Sequence, residues 1–132
     1  MTDTEAEALG KRLVACKGFR PMRGMLDMQG RTWDQSLLWR WSNDVDVPDL
    51  RDPATLGCVL ALVRKAWRCP TVYVRQGTTR RASDGVIAWE VCDLWLDAEA
   101  CRALGVDRQG SVGSWGHGSE AEALVAALEA AP

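Results

Sequence analysis

The sequence predicts an α+β fold in a single domain, residues 1–132. A small antiparallel sheet of about three strands packs with an N-terminal, a central and a C-terminal helix. Three observations support this fold. Capping residues precede apolar stripes at helical spacing, two runs of high β propensity flank a polar turn, and a length of 132 residues suits one compact core.

The first helix is predicted over Thr4–Cys16. Thr4 and Glu7 have the spacing of a capping box, in which each residue's side chain accepts the other's backbone N–H. Gly18 is placed to end the helix. The apolar stripe follows the i, i+4, i+7 spacing of one helix face and consists of Leu9, Leu13 and Cys16.

The next stretch mixes apolar residues with glycine and proline. Met25–Met28 is interpreted as a strand or an irregular segment. Trp33–Trp41 is predicted to be a strand because its large apolar residues alternate, as they do on one face of a half-buried strand. Those residues are Trp33, Leu37, Trp39 and Trp41. Leu38 has the wrong parity for that face.

The central helix has the clearest signals of the chain. It follows a loop with several aspartates, taken to be solvated, over Asn43–Arg51. Asp52 is the predicted N-cap and Pro53 the first helical residue, and Pro70 forbids continuation. One face is expected to be buried, formed by Leu56, Val59, Leu60, Val63 and Trp67.

A β-hairpin is predicted after this helix. Thr71–Gln76 and Val86–Leu94 have high β propensity, and the polar segment Gly77–Gly85 between them is suited to a turn. Trp67 and Trp89 are expected in the core, Trp67 as the end of the helical stripe and Trp89 as a mid-strand residue.

The last third begins with a short helix predicted over Ala98–Leu104. Val106–Gly118 is rich in glycine and serine and is interpreted as a loop that has room for a short strand. The final helix is predicted over Glu120–Ala131, with Ser119 and Glu122 as a second capping box. Its apolar face consists of Leu124, Val125 and Leu128.

The sequence carries no pattern typical of a cofactor, metal or catalytic site. The five cysteines form no Cys-x-x-Cys pair, and we interpret them as buried thiols. His117 is the single histidine; in a flexible loop beside a helix start, it is interpreted as a solvent-exposed residue. Phosphate-binding glycine patterns are missing too. We therefore expect no enzyme, no bound metal and no cofactor.

Composition favours recognition. Seven residues are Trp, with one Phe and one Tyr, and the 16 basic residues are 13 Arg and three Lys. Trp and Arg are enriched at binding hot spots. The formal net charge of −2 supplies no global attraction to nucleic acid or anionic membrane. Met1–Leu9 lacks a basic start and an apolar run, so we expect no signal peptide, no membrane insertion and a cytoplasmic location.

A basic stretch, Arg64–Arg81, contains six cations and no acid. Two interpretations stay open. The cations can pair with the acidic residues that follow them across the hairpin. They can instead hold phosphates while Trp67 and Tyr73 stack on bases, which would make the chain a nucleic-acid-binding accessory protein.

Two segments resemble known proteins. Leu50-Arg-Asp-Pro-Ala-Thr-Leu-Gly-Cys-Val-Leu-Ala-Leu-Val-Arg-Lys-Ala-Trp67 and Glu120-Ala-Glu-Ala-Leu-Val-Ala-Ala-Leu-Glu-Ala-Ala131 resemble stretches of small phage and prophage proteins. The layout is similar to the phage α/β/α sandwich family. The resemblance covers residues 50–76 and 119–131, less than half of the chain. It implies a mobile-element origin, a bacterial host and no particular catalytic residue.

These observations lead to one expected function and two alternatives. We expect a non-enzymatic phage or prophage protein that binds a host or phage protein and inhibits a host defence system, as an anti-CRISPR protein does. The alternatives are the nucleic-acid-binding accessory protein and a small enzyme or metal protein. The sequence leaves the oligomeric state open. The partner-binding residues are expected to be Trp39, Arg40, Trp41, Arg75, Arg80, Arg81 and Trp115.

Overall fold

A computed structural model describes residues 1–33, 46–80, 84–96 and 110–132, together with Glu99 and Arg102. For 78, 79, 93, 95, 96 and 110–116 the description covers the backbone alone. The α+β fold class is confirmed. In chain order the elements are α1 (Asp3–Ala15), α2 (Pro53–Ala66), β1 (Tyr73–Arg80), β2 (Ile87–Leu96), β3 (Gly110–His117) and α3 (Glu120–Glu129).

Helix α1 begins earlier than its sequence pattern suggests. The capping box is formed by Thr2 and Glu5, not by Thr4 and Glu7: Glu5 N–H donates to Thr2 Oγ1 (3.2 Å), and Thr2 N–H donates to Glu5 Oε2 (2.7 Å). Both pairs have the same spacing, so sequence alone does not separate them. The helix ends at Ala15, and Gly18 instead packs against Leu128, whose Cδ1 would lie 3.1 Å from an added Cβ.

The segment around Met25–Met28 is irregular and is held by two isolated β-bridges. Leu26 pairs with Thr32, and Asp27 pairs with Pro48, both antiparallel. Gly30, with φ +81°, occupies the turn between the first pair. Residues 46–49 therefore lie against this turn. Most of the strand predicted over Trp33–Trp41 lies outside the described residues.

Helix α2 confirms the prediction at both ends. Asp52 is its N-cap, Pro53 its first residue and Trp67 its C-cap. Its buried face includes Val59, Val63 and Trp67 of the predicted stripe, whereas Leu56 and Leu60 are only half-buried. The buried residues are Thr55, Val59, Leu62 and Val63.

The three strands form one antiparallel sheet in the order β1–β2–β3. The predicted hairpin is its first two strands, with Val74 opposite Val91 and Arg75 opposite Glu90. Strand β1 continues to Arg80, beyond the predicted end at Gln76, with a register shift in between. Against β3, the register of β2 gains one residue between Val91 and Leu94, which lets both side chains be buried although they are three residues apart.

Strand β3 corrects the interpretation of the Gly/Ser-rich segment as a loop. Gly110–His117 pairs along β2, with His117 opposite Trp89 and Gly110 opposite Leu96. His117 is thus a half-exposed strand residue rather than a residue of a flexible loop. Glycine and serine have low β propensity, so this strand depends on its partner. The helix predicted over Ala98–Leu104 lies outside the described residues except at two positions.

Helix α3 lies at the centre of the described fold. It contacts α1, α2 and all three strands. Six of its ten residues are buried, so its burial extends beyond the predicted apolar face. Alanines at 121, 123 and 127 let neighbouring elements approach closely. Trp67 Nε1–H donates to the Ala127 carbonyl (2.8 Å), which satisfies the indole inside the core.

The N-terminus of α3 is capped differently from the predicted capping box. Ser119 Oγ accepts from Glu122 N–H (3.1 Å), as expected. The Glu122 carboxylate, however, accepts from Gly118 N–H (2.9 Å) rather than from Ser119 N–H. The cap therefore closes over one additional residue and fixes the end of β3 against the start of α3.

Candidate functional site

The predicted partner-binding residues fall into three groups. Trp39, Arg40, Trp41 and Arg81 lie outside the described residues. Trp115 lies in β3, where only the backbone is described. Arg75 and Arg80 are both on β1, at one edge of the sheet. The described part of the chain thus brings two of the seven residues onto one strand.

Strand pleating separates the side chains of the β1–β2 hairpin into two faces. Val74 and Val91 lie opposite each other and belong to or pack against the core. The residues next to them along each strand project to the other side. That second side, here called the hairpin face, consists of Tyr73, Arg75, Glu90 and Cys92.

Arg75 is held on the hairpin face by a cross-strand ion pair. Its Nε lies 2.5 Å from Glu90 Oε1, and the two residues are direct partners in the register. The Glu90 hydrogen bond raises the pKa of the Arg75 guanidinium. The Arg75 side chain is nevertheless 59% exposed. Tyr73 is beside it and is 40% exposed, so an aromatic ring and a guanidinium share this surface.

Arg80 has a structural partner as well. Its Nη1 donates to the Gly85 carbonyl (2.9 Å), across the end of the hairpin. Gly85 has φ +71°, a conformation that favours glycine. This bond stabilises the turn end of the hairpin, so the exposed Arg80 has a structural role there.

The corner between α2 and β1 is tightly bonded. Cys69 N–H donates to the Arg64 carbonyl (2.9 Å) and Arg68 N–H to the Lys65 carbonyl (3.2 Å), the two bonds of a Schellman motif. The Arg64 side chain also donates, from Nε to the Val72 carbonyl (2.8 Å). Arg64 thus joins the last turn of α2 to the start of β1 and is engaged inside the chain.

Arg68 occupies the position of this motif where glycine is usual. Its φ is +53°, a left-handed conformation that costs a residue with a Cβ about 1–2 kcal/mol. Its side chain is 78% exposed and lies 3.9 Å from Glu99. Sequence reasoning placed Arg68 in the basic stretch without singling it out. The available signal was a helix that ends before Pro70 with no glycine after Trp67.

Of the six cations in the basic stretch, several pair within the chain. Arg75 pairs with Glu90 across the hairpin, and Arg68 lies near Glu99, which supports the internal-pairing interpretation for those two. Arg64 and Arg80 donate to carbonyls instead. These contacts leave a smaller basic surface than the sequence pattern suggested.

A buried ionic cluster lies in the segment whose sequence was hardest to interpret. The Arg31 guanidinium bridges Asp27 (3.1 Å from Nε) and Asp46. Asp27 is 1% exposed and Asp46 5%, so Asp46 is not the solvated loop residue that its sequence context suggested. Asp27 Oδ1 also accepts the backbone N–H groups of Gln29 and Arg31, each at 2.9 Å. These bonds satisfy the carboxylate and fix the turn.

The described cysteines are less buried than predicted. Cys69 is buried, whereas Cys16, Cys58 and Cys92 are half-buried, and none of the four forms a disulfide. Burial raises the pKa of the Cys16 thiol, and nearby Glu129 raises it further. Burial also raises the pKa of Cys58. A raised pKa leaves less thiolate at neutral pH and makes both thiols weak nucleophiles.

Two cavities open at the surface of the helical layer. One, of about 540 Å³, lies between the ends of α1 and α3 and includes Cys16 and the Arg12–Glu129 ion pair (2.5 Å) in its lining. The other, of about 480 Å³, lies between the starts of the same helices. Across the described ranges, no group of three or more His, Cys, Asp or Glu side chains is placed to hold a metal ion.

None of the helices in the described part of the chain is long and apolar enough to cross a bilayer. No family model, no curated protein and no solved structure matches the chain. The resemblance to the phage α/β/α sandwich family stays a prediction. The hairpin face is the candidate site because Tyr73 and Arg75 are both exposed there and share one side of β1.

Proposed function

We propose that the protein is a non-enzymatic binding protein and that its hairpin face contacts a partner protein. The supporting observation is that Tyr73 and Arg75, both exposed, lie two residues apart on the same face of β1, a strand at the edge of the sheet. Tyr and Arg supply much of the binding energy at protein interfaces. The backbone beneath them is held by β2, so the two side chains bind with little ordering cost.

The biological setting in this proposal comes from the resemblance. A phage or prophage protein of this size can act by occupying a host protein, and inhibition of a bacterial defence system, as anti-CRISPR proteins perform, is the specific role we propose. Four of the seven expected contact residues lie outside the described residues. The proposal therefore depends on Tyr73 and Arg75 for its test.

The test compares one substitution on the hairpin face with a matched one elsewhere. Tyr73 and Val86 are both 40% exposed, and Val86 lies outside the hairpin face. Tagged wild-type, Tyr73→Ser and Val86→Ser proteins are used to capture partners from nuclease-treated bacterial lysate, with quantification by mass spectrometry. We expect one protein to be enriched by the wild type and by Val86→Ser and lost with Tyr73→Ser.

Two results would contradict the proposal. Equal capture of that protein by all three baits would remove the hairpin face from the interface. A parallel capture from untreated lysate tests the nucleic-acid alternative: enrichment there that is lost in the nuclease-treated lysate would favour that alternative, whose binding also weakens steeply with salt. Melting temperatures of the three baits, measured by circular dichroism, check that Tyr73→Ser is folded.

A further inference from the structure

Arg68 adopts a backbone conformation that its own side chain makes unfavourable. Of the described residues other than glycine, it alone has a positive φ, +53°. The Schellman motif at the end of α2 requires this conformation, and glycine adopts it without a steric penalty. Strained backbone conformations persist where the surrounding structure holds them, and they cluster at active sites and ligand-binding sites.

The side-chain contacts of Arg68 stabilise the fold too little to offset its backbone strain. Its side chain is 78% exposed, and its ion pair with Glu99 spans 3.9 Å between two highly exposed groups. Pairs of this type contribute little measurable stability. Within the described residues, a glycine at this position would thus cost the fold almost nothing and relieve the strain.

Other exposed basic and aromatic side chains lie near Arg68 along the chain. Lys65, three residues earlier in α2, is exposed, as is Tyr73 at the start of β1. The bond from Arg64 Nε to the Val72 carbonyl draws the start of β1 against the end of α2. Lys65, Arg68 and Tyr73 are together called the corner surface, and it adjoins the hairpin face through Tyr73.

We propose that the corner surface docks an acidic segment of the partner protein, with Arg68 and Lys65 binding its carboxylates. This inference rests on the proposed function and names the chemistry of the partner. The exposed cations Lys65 and Arg68 are complementary in charge to carboxylates, and Arg68 lies 3.9 Å from one, that of Glu99, in the unbound protein. The net charge of −2 also disfavours a polyanion as long as a nucleic acid.

In the unbound protein Glu99 is the ion-pair partner of Arg68, and a carboxylate of the partner protein replaces Glu99 on binding. The 3.9 Å separation and the 74% exposure of Glu99 make this replacement easy. Removing the Glu99 charge should therefore strengthen binding, whereas removing the Arg68 charge should weaken it. The two effects have opposite signs at positions that face each other.

The experiment uses the full chain and fluorescence anisotropy. The probes are a labelled peptide of alternating Glu and Gly, the same peptide with Gln for Glu, and a labelled oligothymidine of equal length. Of the three probes, we expect only the Glu peptide to bind the wild type. Its affinity for Arg68→Gly and for Lys65→Gln should be about tenfold lower than its affinity for the wild type. Glu99→Gln should bind it about twofold more tightly.

The melting temperatures of two variants distinguish the effect of the Arg68 side chain from the effect of its strained backbone conformation. Arg68→Gly should raise the melting temperature by about 2–4 °C because it relieves the strain. Arg68→Ala keeps the strain and should not raise it, yet it should weaken peptide binding as much. A more stable variant that binds less well is the expected signature of strain retained for recognition.

Three results would overturn the inference: no binding of the Glu peptide by the wild type, stronger binding of the oligothymidine than of the Glu peptide, or full peptide binding by Arg68→Gly. Each leaves the proposed function standing if Tyr73→Ser still abolishes partner capture. Failure of capture by the wild type, with the peptide still bound through Arg68, would instead remove the hairpin-face proposal.

Discussion

At the scale of single residues, one hydroxyl connects two distant parts of the chain. Thr55 Oγ1 donates to Asp52 Oδ2 (2.8 Å) and accepts from Leu26 N–H (2.8 Å). Asp52 Oδ2 also accepts from Thr55 N–H (2.7 Å) as the N-cap of α2. Thr55 is fully buried, whereas Leu26 and Asp52 are half-buried, so loss of the hydroxyl leaves the Leu26 N–H without its acceptor in a partly buried site.

Thr55→Val should therefore destabilise the protein by about 1–3 kcal/mol, because it leaves the partly buried N–H group of Leu26 without its acceptor at nearly constant side-chain volume. Urea denaturation followed by circular dichroism measures the change. Thr55→Ser keeps the hydroxyl and is the control. Equal urea midpoints for Thr55→Val and the wild type would show that the hydrogen bonds of the Thr55 hydroxyl contribute no stability.

At the scale of elements, glycines within two helices have opposite roles. A Cβ at Gly10 in α1 would lie 2.7 Å from Val47 Cγ2 and 2.8 Å from the Pro48 carbonyl oxygen. A Cβ at Gly57 in α2 would have nothing within 4 Å. Gly10 thus allows α1 to approach residues 47–48, whereas Gly57 only lowers helix propensity.

Gly57→Ala should stabilise the protein by about 0.5–1 kcal/mol through helix propensity. Gly10→Ala receives the same gain but should destabilise the protein by about 1–3 kcal/mol through overpacking. Both are measured by urea denaturation. Since the propensity terms match, the difference between the two variants reports the overlap at residues 47–48. If both variants were stabilised, the close approach of α1 would not hold.

Elements with a strong local signal, such as a helix cap or a turn between two runs of high β propensity, could be predicted from the sequence. Asp52 and Pro53 fixed the start of α2 because the N-cap and first helical positions select few residue types. The stripe of α2 was predicted correctly at Val59, Val63 and Trp67 but wrongly at Leu56 and Leu60, which are as apolar as the buried residues and are only half-buried. Strand β3 was predicted only as a loop with room for a short strand, because its pairing with β2, not its composition, creates it.

At the scale of the whole molecule, Arg51 joins the N-terminus to the loop before α2. Its guanidinium binds Asp49 through two bonds of 2.9 Å and also binds Asp3 at the start of α1. The Arg51 hydrogen bonds hold the pKa of Asp49 below its ordinary value, against the opposing effect of burial. Asp49 thus stabilises the fold in its charged form.

The lowered pKa gives stability a defined dependence on pH. The unfolded chain takes up the Asp49 proton near its ordinary pKa of about 4, whereas the folded chain takes it up at lower pH. The contribution is therefore present above about pH 4 and is lost as the pH falls through the folded pKa. Urea midpoints of the wild type should fall between pH 5 and pH 3, roughly the window of this titration.

Arg51→Gln should reduce that fall, because Asp49 then titrates closer to its unfolded value. Arg20→Gln removes the same charge from an arginine that donates to the Lys17 and Phe19 carbonyls, and it serves as the control. An unchanged acid dependence in Arg51→Gln would show that this pair does not link stability to pH.

The candidate site could be predicted only in part. Arg75 was named from the basic stretch, but its ion pair with Glu90 and its place beside exposed Tyr73 follow from strand register. Arg68 was not singled out, although the lack of a glycine after Trp67 was a signal, because its left-handed backbone conformation follows from the hydrogen bonds at the end of α2. Arg64 and Arg80 were grouped with the surface cations, although both donate to backbone carbonyls.

The sequence by itself determined the α+β class, α2 with its cap, the hairpin and the capped C-terminal helix, because capping, turn and periodicity signals are local. Tertiary structure alone decided that α3 lies among all the other elements, that β3 is a strand, and that Asp27 and Asp46 share Arg31. Those features depend on contacts between residues far apart in the chain, and the sequence pattern around one residue does not indicate which distant residue it contacts.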